Sequence, residues 1–353
     1  MTRAAFGALP DGRAVHAFTL TNARGMEVRA ISFGAIIVSI TVPDRSGRSG
    51  DVVLGHDELE PYLERSPYFG AIIGRHANRI GRARFTLDDR TCQLAANDGR
   101  NHLHGGHCGF DKQLWDGAHV RTADGDGVVF SRISADGEEG YPGTLQVRVR
   151  YLLTASNELH VDYEAETDAA TVVNLTQHSY FDLSCGQADD VLGHRLTLQG
   201  AAYTPVDAEL IPTGAIVPVE GTPFDFRTPT AIGARVNDGD LQLQHGGGYD
   251  HNWVLSRTGP GLTRAASLVD PLSGRTLDAL TTEPGIQFYS GNQLDGSITG
   301  KYGRRYSARA GLCLETQHFP DGPNRENFPS PVLRPGRRFQ SRTVFRFGVD
   351  AHR

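Results

Sequence analysis

The sequence contains few cysteines and no pattern that would support a disulfide scaffold or a zinc site. Cys92, Cys108, Cys185 and Cys313 are widely spaced along 353 residues, and no pair has CxxC spacing. We therefore expect free, mostly buried thiols. No segment approaches the roughly 20 apolar residues of a membrane-spanning helix, and residues 1 to 15 lack the apolar core of a signal peptide. These absences predict a cytoplasmic protein without a membrane partner.

Charge of neither sign dominates the chain. Lys and Arg number 35 and Asp and Glu number 41, which gives a formal net charge of −6. The stretches GRRYSARAG and RPGRRFQSRTVFRF alternate arginine with apolar residues, a pattern of exposed strand faces rather than of a phosphate-binding patch. We therefore expect no nucleic-acid partner. The GxSxG, HExxH, P-loop and strand-to-helix GxGxxG signatures are also absent, which excludes several enzyme classes.

Two-residue periodicity is the main secondary-structure signal. In residues 145–166, LQVRVRYLLTASNELHVDYEAE, apolar and polar residues alternate on both sides of a TASN turn. The same alternation recurs in residues 83–94, around Asp88 and Asp89, and in residues 15–33. Alternation of this kind predicts antiparallel hairpins with one buried face.

Helical periodicity is scarce. The best candidate is HDELEPYLER, residues 56–65, which is short and interrupted by Pro61. The 42 glycines and 18 prolines fit a chain with many turns, and neither a Pro/Ser-rich linker nor a fixed-period repeat divides it. We predict an all-β fold in which residues 1–353 form a single domain, a large antiparallel β-sandwich with few short helices.

Two segments combine apolar residues with groups capable of proton transfer. In NLTQHSYFDL, residues 174–183, strand alternation would place Asn174, Thr176 and His178 on one face and Leu175 on the other. In GLCLETQHFPDGPN, residues 311–324, Glu315 has apolar neighbours, so it needs either an arginine partner or a place in a cleft. A strand histidine is more often structural, and neither residue alone establishes an active site.

Polar residues also stand out in four other segments. These segments are GRHANRIGRARF (74–85), NHLHGGHCGFDKQLW (101–115), GYDHNWVL (248–255) and GIQFYSGN (285–292). Asp250, in the third, could simply cap a turn beside the glycines. His102 and His104, in the second, would share one face of a strand and could hold a metal ion.

Taken in chain order, these segments resemble the aldose 1-epimerases, also called galactose mutarotases. The resemblance runs from FGAIIVSITVPDRSGRSGDVVLGHDELEPY through ANRIGRARF, NHLHGGHCGFDKQLW, NLTQHSYFDL, YDHNWVL, GIQFYSGN and LETQHFPDGPN. Each segment alone is weakly specific, whereas seven in the family's order are strongly specific. The resemblance implies a β-sandwich of the galactose mutarotase-like type. It also implies interconversion of the α and β anomers of a free monosaccharide, without a metal or other cofactor.

The resemblance also implies a role for individual residues. Glu315 in LETQ corresponds to the general base and His178 in QHSYF to the general acid. The sugar-holding positions are matched by Asn78, Arg79, His104, Asp250 and Gln287. One group would remove the C1 hydroxyl proton while the other protonates the ring oxygen, and the open aldehyde would rotate about C1–C2 before reclosure. For this His178 must start protonated, and we expect a nearby carboxylate to raise its pKa.

Several features of the site stay open at the level of sequence. Gln177 and Asp182 stand where relatives often have asparagine, which predicts an altered hydroxyl preference near the acid. Tyr180, Trp253 and Phe288 are candidates for a surface against the sugar ring, although most aromatic residues belong to a core. Gly105 and Gly106 are expected to form the tight turn that presents His104, which leaves His102, His107 and Cys108 as local structure or pocket rim.

Alternatives to this function come from other classes of protein. Galactose and glucose are the expected substrates, and xylose and arabinose stay open. A non-catalytic carbohydrate-binding sandwich would share the fold, a cupin-like enzyme would bind a metal through His102 and His104, and a hexose-6-phosphate epimerase would act on charged sugars. The sequence is compatible with a monomer or a homodimer.

Overall fold

The computed structural model describes residues 1–257 and 259–350, and nearly all of their regular structure is β-strand. Strands are numbered β1 to β28 along the chain. Every ladder between these strands is antiparallel. The prediction of an all-β antiparallel fold is therefore confirmed.

Three large sheets contain most of the strands. The five-stranded sheet contains, in spatial order, β1 (Thr2–Ala8), β2 (Ala14–Thr21), β3 (Glu27–Ile31), β4 (Ile37–Pro43) and β5 (Ser49–Asp51). The nine-stranded sheet contains, in spatial order, β11 (Asp116–Arg121), β12 (Gly125–Ser134), β13 (Leu145–Thr154), β14 (Glu158–Thr167), β28 (Phe339–Val349), β24 (Arg275–Thr281), β23 (Thr263–Val269), β18 (Arg195–Leu198) and β21 (Thr230–Ala231). The six-stranded sheet contains β17 (Tyr180–Phe181), β26 (Leu312–Gln317), β25 (Gly285–Tyr289), β22 (Asp250–Val254), β19 (Ala202–Thr204) and β20 (Val217–Pro218).

Short strand pairs and helices complete the fold. The pairs are β7 (Arg79–Ile80) with β10 (His102–Leu103), β16 (Thr176–Gln177) with β6 (Ile72–Ile73), β15 (Thr171–Val172) with β27 (Val332–Leu333), and β8 (Arg84–Leu87) with β9 (Arg90–Gln93). The helices are α1 (Glu60–Glu64), α2 (Leu241–Gly246) and 3-10 turns at Gly81–Ala83, Phe110–Lys112, Glu138–Gly140, Ile232–Ala234, Lys301–Gly303 and Gly322–Asn324. In the part of the chain that the structure describes, no helix is long and apolar enough to cross a membrane.

The predicted hairpins form where apolar alternation is local. Strands β13 and β14 pair along their length, and their alternate apolar residues are buried. Strands β8 and β9 are joined by Asp88 and Asp89, whose φ angles are +49° and +61°. Two successive positive φ angles are characteristic of tight hairpin turns, and Asp tolerates them better than most residues.

The helix prediction for residues 56–65 is correct in place but too long. Helix α1 has Pro61 in its first turn, where the missing backbone N–H costs no hydrogen bond. Pro61 therefore begins the helix rather than interrupting it. Helix α2 was not predicted; it begins where the Asp240 side chain accepts a hydrogen bond from the Gln242 N–H.

One large hydrophobic core contains residues from all three large sheets, among them Val28, Val149 and Phe288. One face of the six-stranded sheet packs against this core, and the other face carries polar residues. Gln287 on β25 pairs directly with Glu315 on β26, while Phe288 pairs with Leu314. Because side chains alternate along a strand, this register places Gln287 and Glu315 together on the polar face.

Candidate active site

A cavity of about 70 Å³ lies against the polar face of the six-stranded sheet. Its walls are formed by Pro67, Tyr68, Asn78, Arg79, Leu103, His104, His178, Tyr180, Asp250, Tyr289, Gln293 and Glu315. Six of the seven residues expected at the site line this cavity. The exception is Gln287, which lies beside Asp250 and donates a hydrogen bond from Nε2 to Asp250 Oδ1 over 2.7 Å.

Glu315 and His178 face each other across the cavity. The distance from His178 Nε2 to Glu315 Oε1 is 3.6 Å, and both residues are buried. Glu315 Oε2 has no hydrogen-bond partner among the described residues. A buried carboxylate with an unused oxygen beside an imidazole is an arrangement suited to proton transfer with a bound molecule.

The local structure around His178 differs from the predicted strand. Strand β16 ends at Gln177, and residues 171–184 are all buried, so no polar face alternates with an apolar one. Asn174 hydrogen-bonds the backbone of Ala77 and His318 instead of facing the cavity. His178 is held by its backbone, which bonds Gly70 and Ala71. The prediction that Asn174, Thr176 and His178 share a polar face is therefore wrong.

The protonation expected for His178 is also not found. Burial lowers the pKa of His178 to about 4. Burial raises the pKa of Glu315 well above its usual range; the Asp250 carboxylate adds to this rise and the Arg79 guanidinium opposes it. Loss of water around His178 therefore sets the direction of its pKa shift. When the pair holds one proton, these shifts favour placing it on Glu315 rather than on His178.

His104 is oriented by a glycine turn and by its neighbour across the sheet. His104 itself has φ +52°, and Gly105 and Gly106 have φ +87° and +103°. The Asn78 backbone N–H donates to His104 Nδ1 over 3.1 Å. Burial lowers the pKa of His104 well below its usual value, so the ring is neutral and its proton lies on Nε2. His104 can therefore donate a hydrogen bond to an oxygen in the cavity.

Three other residues of the histidine-rich segment 101–115, namely His102, His107 and Cys108, do not line the cavity. His102 bonds the Ala95 carbonyl through Nδ1 and the Tyr141 hydroxyl through Nε2. The backbone N–H groups of His107 and Cys108 donate to the Glu139 carboxylate. These residues are local structure, and Cys108 is exposed rather than buried.

The turn at Gly105 leaves no space for a side chain. A Cβ at this position would lie 1.8 Å from the Gly74 carbonyl oxygen. We expect Gly105→Ala to lower the free energy of unfolding by more than about 2 kcal/mol, because both the contact and the φ angle are unfavourable.

Urea unfolding followed by circular dichroism measures this loss. Gly12→Ala is a matched control, since Gly12 also has φ +87° but no atom lies within 4 Å of its added Cβ. We expect the control to lose only about 1 kcal/mol through backbone strain. Equal losses in the two variants would show that close packing against Gly74 is unimportant.

His104, His178 and Glu315 have potential ligand atoms within 4.8 Å of one another, which raises the question of a metal ion. The lone pair of His104 Nδ1 already accepts the Asn78 N–H, and the protonated Nε2 cannot coordinate a metal. His102, the other proposed ligand of a cupin-like site, is bonded elsewhere. The arrangement therefore fits a hydrogen-bonding ligand better than a metal ion.

Arg79 and Asp250 form the second charged part of the cavity. Arg79 Nη1 lies 3.8 Å from Asp250 Oδ2. Burial raises the pKa of Asp250, while Arg79 and the hydrogen bond from Gln287 oppose this rise. Arg79 offers donors and Asp250 offers acceptors, so the pair can bind a neutral molecule that carries several hydroxyl groups.

Sequence reasoning missed several wall residues, chiefly Tyr68, Tyr289 and Gln293. Tyr68 lies in a loop with φ +66° and packs its ring 4.6 Å from that of His104. No periodicity could have indicated this position. Tyr289 could have been found, because it lies two residues beyond Gln287 on the same strand and therefore on the same face.

One of the three aromatic candidates for the surface against the sugar lines the cavity, and neither of the two residues that differ from the family, Gln177 and Asp182, does so. Tyr180 lines the cavity, whereas Trp253 and Phe288 are core residues. Gln177 hydrogen-bonds the Gly70 carbonyl and the Ser179 N–H. Asp182 bonds Ser184, Gly186 and Arg304. Neither side chain lines the cavity, so the structure gives no support for an effect of these two residues on hydroxyl preference.

Comparison with known proteins identifies the family. The sequence pattern of the family described as aldose 1-epimerase matches residues 16–346. The chain is 47% identical over 350 residues to a galactose mutarotase of Rattus norvegicus, covering 99% of each chain. An aldose epimerase homologue from C. elegans superimposes with a TM-score of 0.87 at 29% identity, covering 95% of this chain and 99% of the other. A galactose 1-epimerase from Lactobacillus acidophilus has a TM-score of 0.87 at 27% identity, covering 99% and 98%. The chain therefore belongs to the aldose 1-epimerase family, and its sandwich is of the galactose mutarotase-like type.

Proposed function

We propose that this protein interconverts the α and β anomers of free aldohexoses such as galactose and glucose. The observation that carries the proposal is the buried pair of Glu315 and His178, 3.6 Å apart in the cavity. The C1 hydroxyl and the ring oxygen of a cyclic aldose are bonded to the same carbon. Two groups this close can therefore contact both oxygens at once.

Glu315 acts as general base and His178 as general acid. Glu315 removes the proton of the C1 hydroxyl while His178 protonates the ring oxygen as the C1–O5 bond breaks. This step leaves Glu315 protonated and His178 neutral, which is the proton distribution that burial favours. The pocket thus stabilises the protein in the form that accompanies the open-chain sugar. After rotation about C1–C2, the reverse transfers close the ring on its other face.

The remaining wall residues are suited to a neutral sugar. Asn78, Arg79, His104 and Asp250 supply the donors and acceptors for its hydroxyl groups. Gln287 acts through Asp250, to which it is bonded. Arg79 is the only cation among the wall residues named above, and it already lies near two carboxylates, Asp98 and Asp250. This charge balance favours a free sugar over a sugar phosphate.

Polarimetry of freshly dissolved α-galactose and α-glucose tests the proposed function. We expect the protein to accelerate the change in optical rotation for both sugars, and to act far less on glucose 6-phosphate. Sugar binding without acceleration would instead identify a carbohydrate-binding protein, and preference for the phosphate would identify a hexose-6-phosphate epimerase. Xylose and arabinose in the same assay define the pocket's tolerance for pentoses. Activity lost on dialysis against EDTA and restored by zinc or iron would indicate a metal-dependent enzyme.

The rate should depend on pH in a way set by the shared proton of the pair. Below the His178 pKa of about 4, a second proton enters while Glu315 is protonated, so no base is left and the rate falls. At high pH the last proton leaves Glu315, whose pKa is raised, so no acid is left. We expect a plateau bounded by about pH 4 and by a limb well above the ordinary carboxyl range. Polarimetric rates, corrected for the uncatalysed reaction, measure this profile; an acid limb near pH 6.5 would contradict it.

We also propose that residues 1–353 work as a single domain in the cytoplasm, as a monomer or a homodimer. One hydrophobic core joins all three large sheets, which supports the single domain. Light scattering during gel filtration determines the oligomeric state.

A further inference from the structure

The loop of residues 97–101 is fixed to the strands that carry the site. The Asn97 side chain accepts from the Leu103 N–H and donates to the Leu103 carbonyl. The Asn101 side chain accepts from the Arg82 N–H. Asp98 and Asn101 exchange two backbone hydrogen bonds. These bonds hold Asp98 in a fixed position between the segment that carries Arg79 and the segment that carries His104.

Asp98 binds Arg79 from the outer side of the cavity. Arg79 Nε donates to Asp98 Oδ2 over 2.8 Å, and the side chains of Arg79 and Asp98 are 8% and 36% exposed. On its inner side, Arg79 Nη1 lies 3.8 Å from Asp250 Oδ2. The stronger contact of Arg79 is thus with a residue that does not line the cavity.

We propose that Asp98 is a positioning residue that holds the Arg79 guanidinium so that Arg79 and Asp250 both stay available to the sugar. A guanidinium is planar and presents its donors as a rigid fork, so one bond to Nε fixes the plane of the remaining donors. Without Asp98, Arg79 would turn and pair closely with Asp250. The donors of Arg79 and the acceptors of Asp250 would then bond each other and would not be available to the sugar hydroxyls. The inference rests on the proposed function and adds a residue that the family resemblance did not indicate.

Asp98→Ala tests this role through the division of its effect between KM and kcat. We expect KM for galactose to rise about tenfold and kcat to change less than about twofold, because sugar binding is weakened while Glu315 and His178 are untouched. Asp98→Asn keeps an acceptor oxygen for Arg79 Nε and should restore KM to within about threefold of the wild type.

Two further variants distinguish positioning from a general effect of losing a surface carboxylate. Glu166 accepts a hydrogen bond from Arg338 Nε, and neither residue lines the cavity, so Glu166→Ala is a matched control that should leave KM unchanged. In an Arg79→Met background no donor is left for Asp98, so adding Asp98→Ala should change KM by less than about twofold.

Failure of this inference can be told apart from failure of the proposed function. A wild-type protein that does not accelerate mutarotation overturns both. An active wild type whose Asp98→Ala variant has the same KM as Glu166→Ala overturns the positioning role alone. A KM in Asp98→Asn as high as in Asp98→Ala also overturns it, because charge rather than the hydrogen bond would then matter. If Asp98→Ala folds poorly in thermal unfolding, Asp98→Ser replaces it in every comparison, because serine suits a loop but is too short to reach Arg79 Nε.

Discussion

Glu315→Gln is expected to reduce catalysed mutarotation of galactose by about 10²- to 10⁴-fold without disturbing the fold. Glutamine has the shape of glutamate but cannot accept the C1 hydroxyl proton, and general base catalysis contributes rate factors of this order. Burial already favours the neutral carboxyl group at this position, since it raises the Glu315 pKa. Removing the ionisable group should therefore leave the free energy of unfolding unchanged or slightly higher. Polarimetry measures the rate and urea unfolding the stability.

A second buried glutamate provides the control for this experiment. Glu283 is 3% exposed and its Oε2 lies 2.7 Å from His318 Nδ1, but neither residue lines the cavity. Glu283→Gln removes a carboxylate that is as buried as that of Glu315 and that also lies beside a histidine. We expect Glu283→Gln to lower the free energy of unfolding and to leave the catalysed rate unchanged. Near-wild-type polarimetry from Glu315→Gln, or an equal loss from Glu283→Gln, would overturn the assignment of the base.

The parts of the fold that the sequence predicts are those that depend on neighbouring residues. The β13–β14 and β8–β9 hairpins follow from local alternation and short turns. Strand β16 has only two residues and exists because it pairs with β6, about a hundred positions earlier. No local pattern encodes such a pairing, which explains why the predicted polar face around His178 is wrong.

The active site likewise has features that the sequence indicates and features that depend on the tertiary structure. The resemblance to the family indicated six of the residues that line the cavity, whereas their protonation could not be inferred from sequence. A carboxylate near His178 suggested a raised pKa, but complete burial lowers that pKa to about 4. Whether solvation or charge prevails depends on how much water the whole fold excludes. Tyr68 was missed for a related reason, since only the tertiary structure brings its loop against His104.

His178→Asn is expected to lower the catalysed rate by about 10²- to 10⁴-fold, because asparagine cannot protonate the ring oxygen as the C1–O5 bond breaks. The loss should appear in kcat, since the wall residues that we propose bind the sugar, Asn78, Arg79, His104 and Asp250, are unchanged. Polarimetry over a range of galactose concentrations separates kcat from KM. A variant that loses affinity but keeps kcat would show that His178 only binds the sugar.

His56 offers the corresponding control. It is buried, burial lowers its pKa, and it packs against Tyr62 and Phe69 instead of the cavity. His56→Asn therefore tests whether loss of any buried imidazole slows the reaction, and we expect its catalysed rate to match the wild type. If His178→Asn and Glu315→Gln each lose the rate and their combination loses no more, the two groups act as one proton-transfer unit. Losses that multiply would instead show that acid and base act in independent steps, contrary to a concerted ring opening across the 3.6 Å pair.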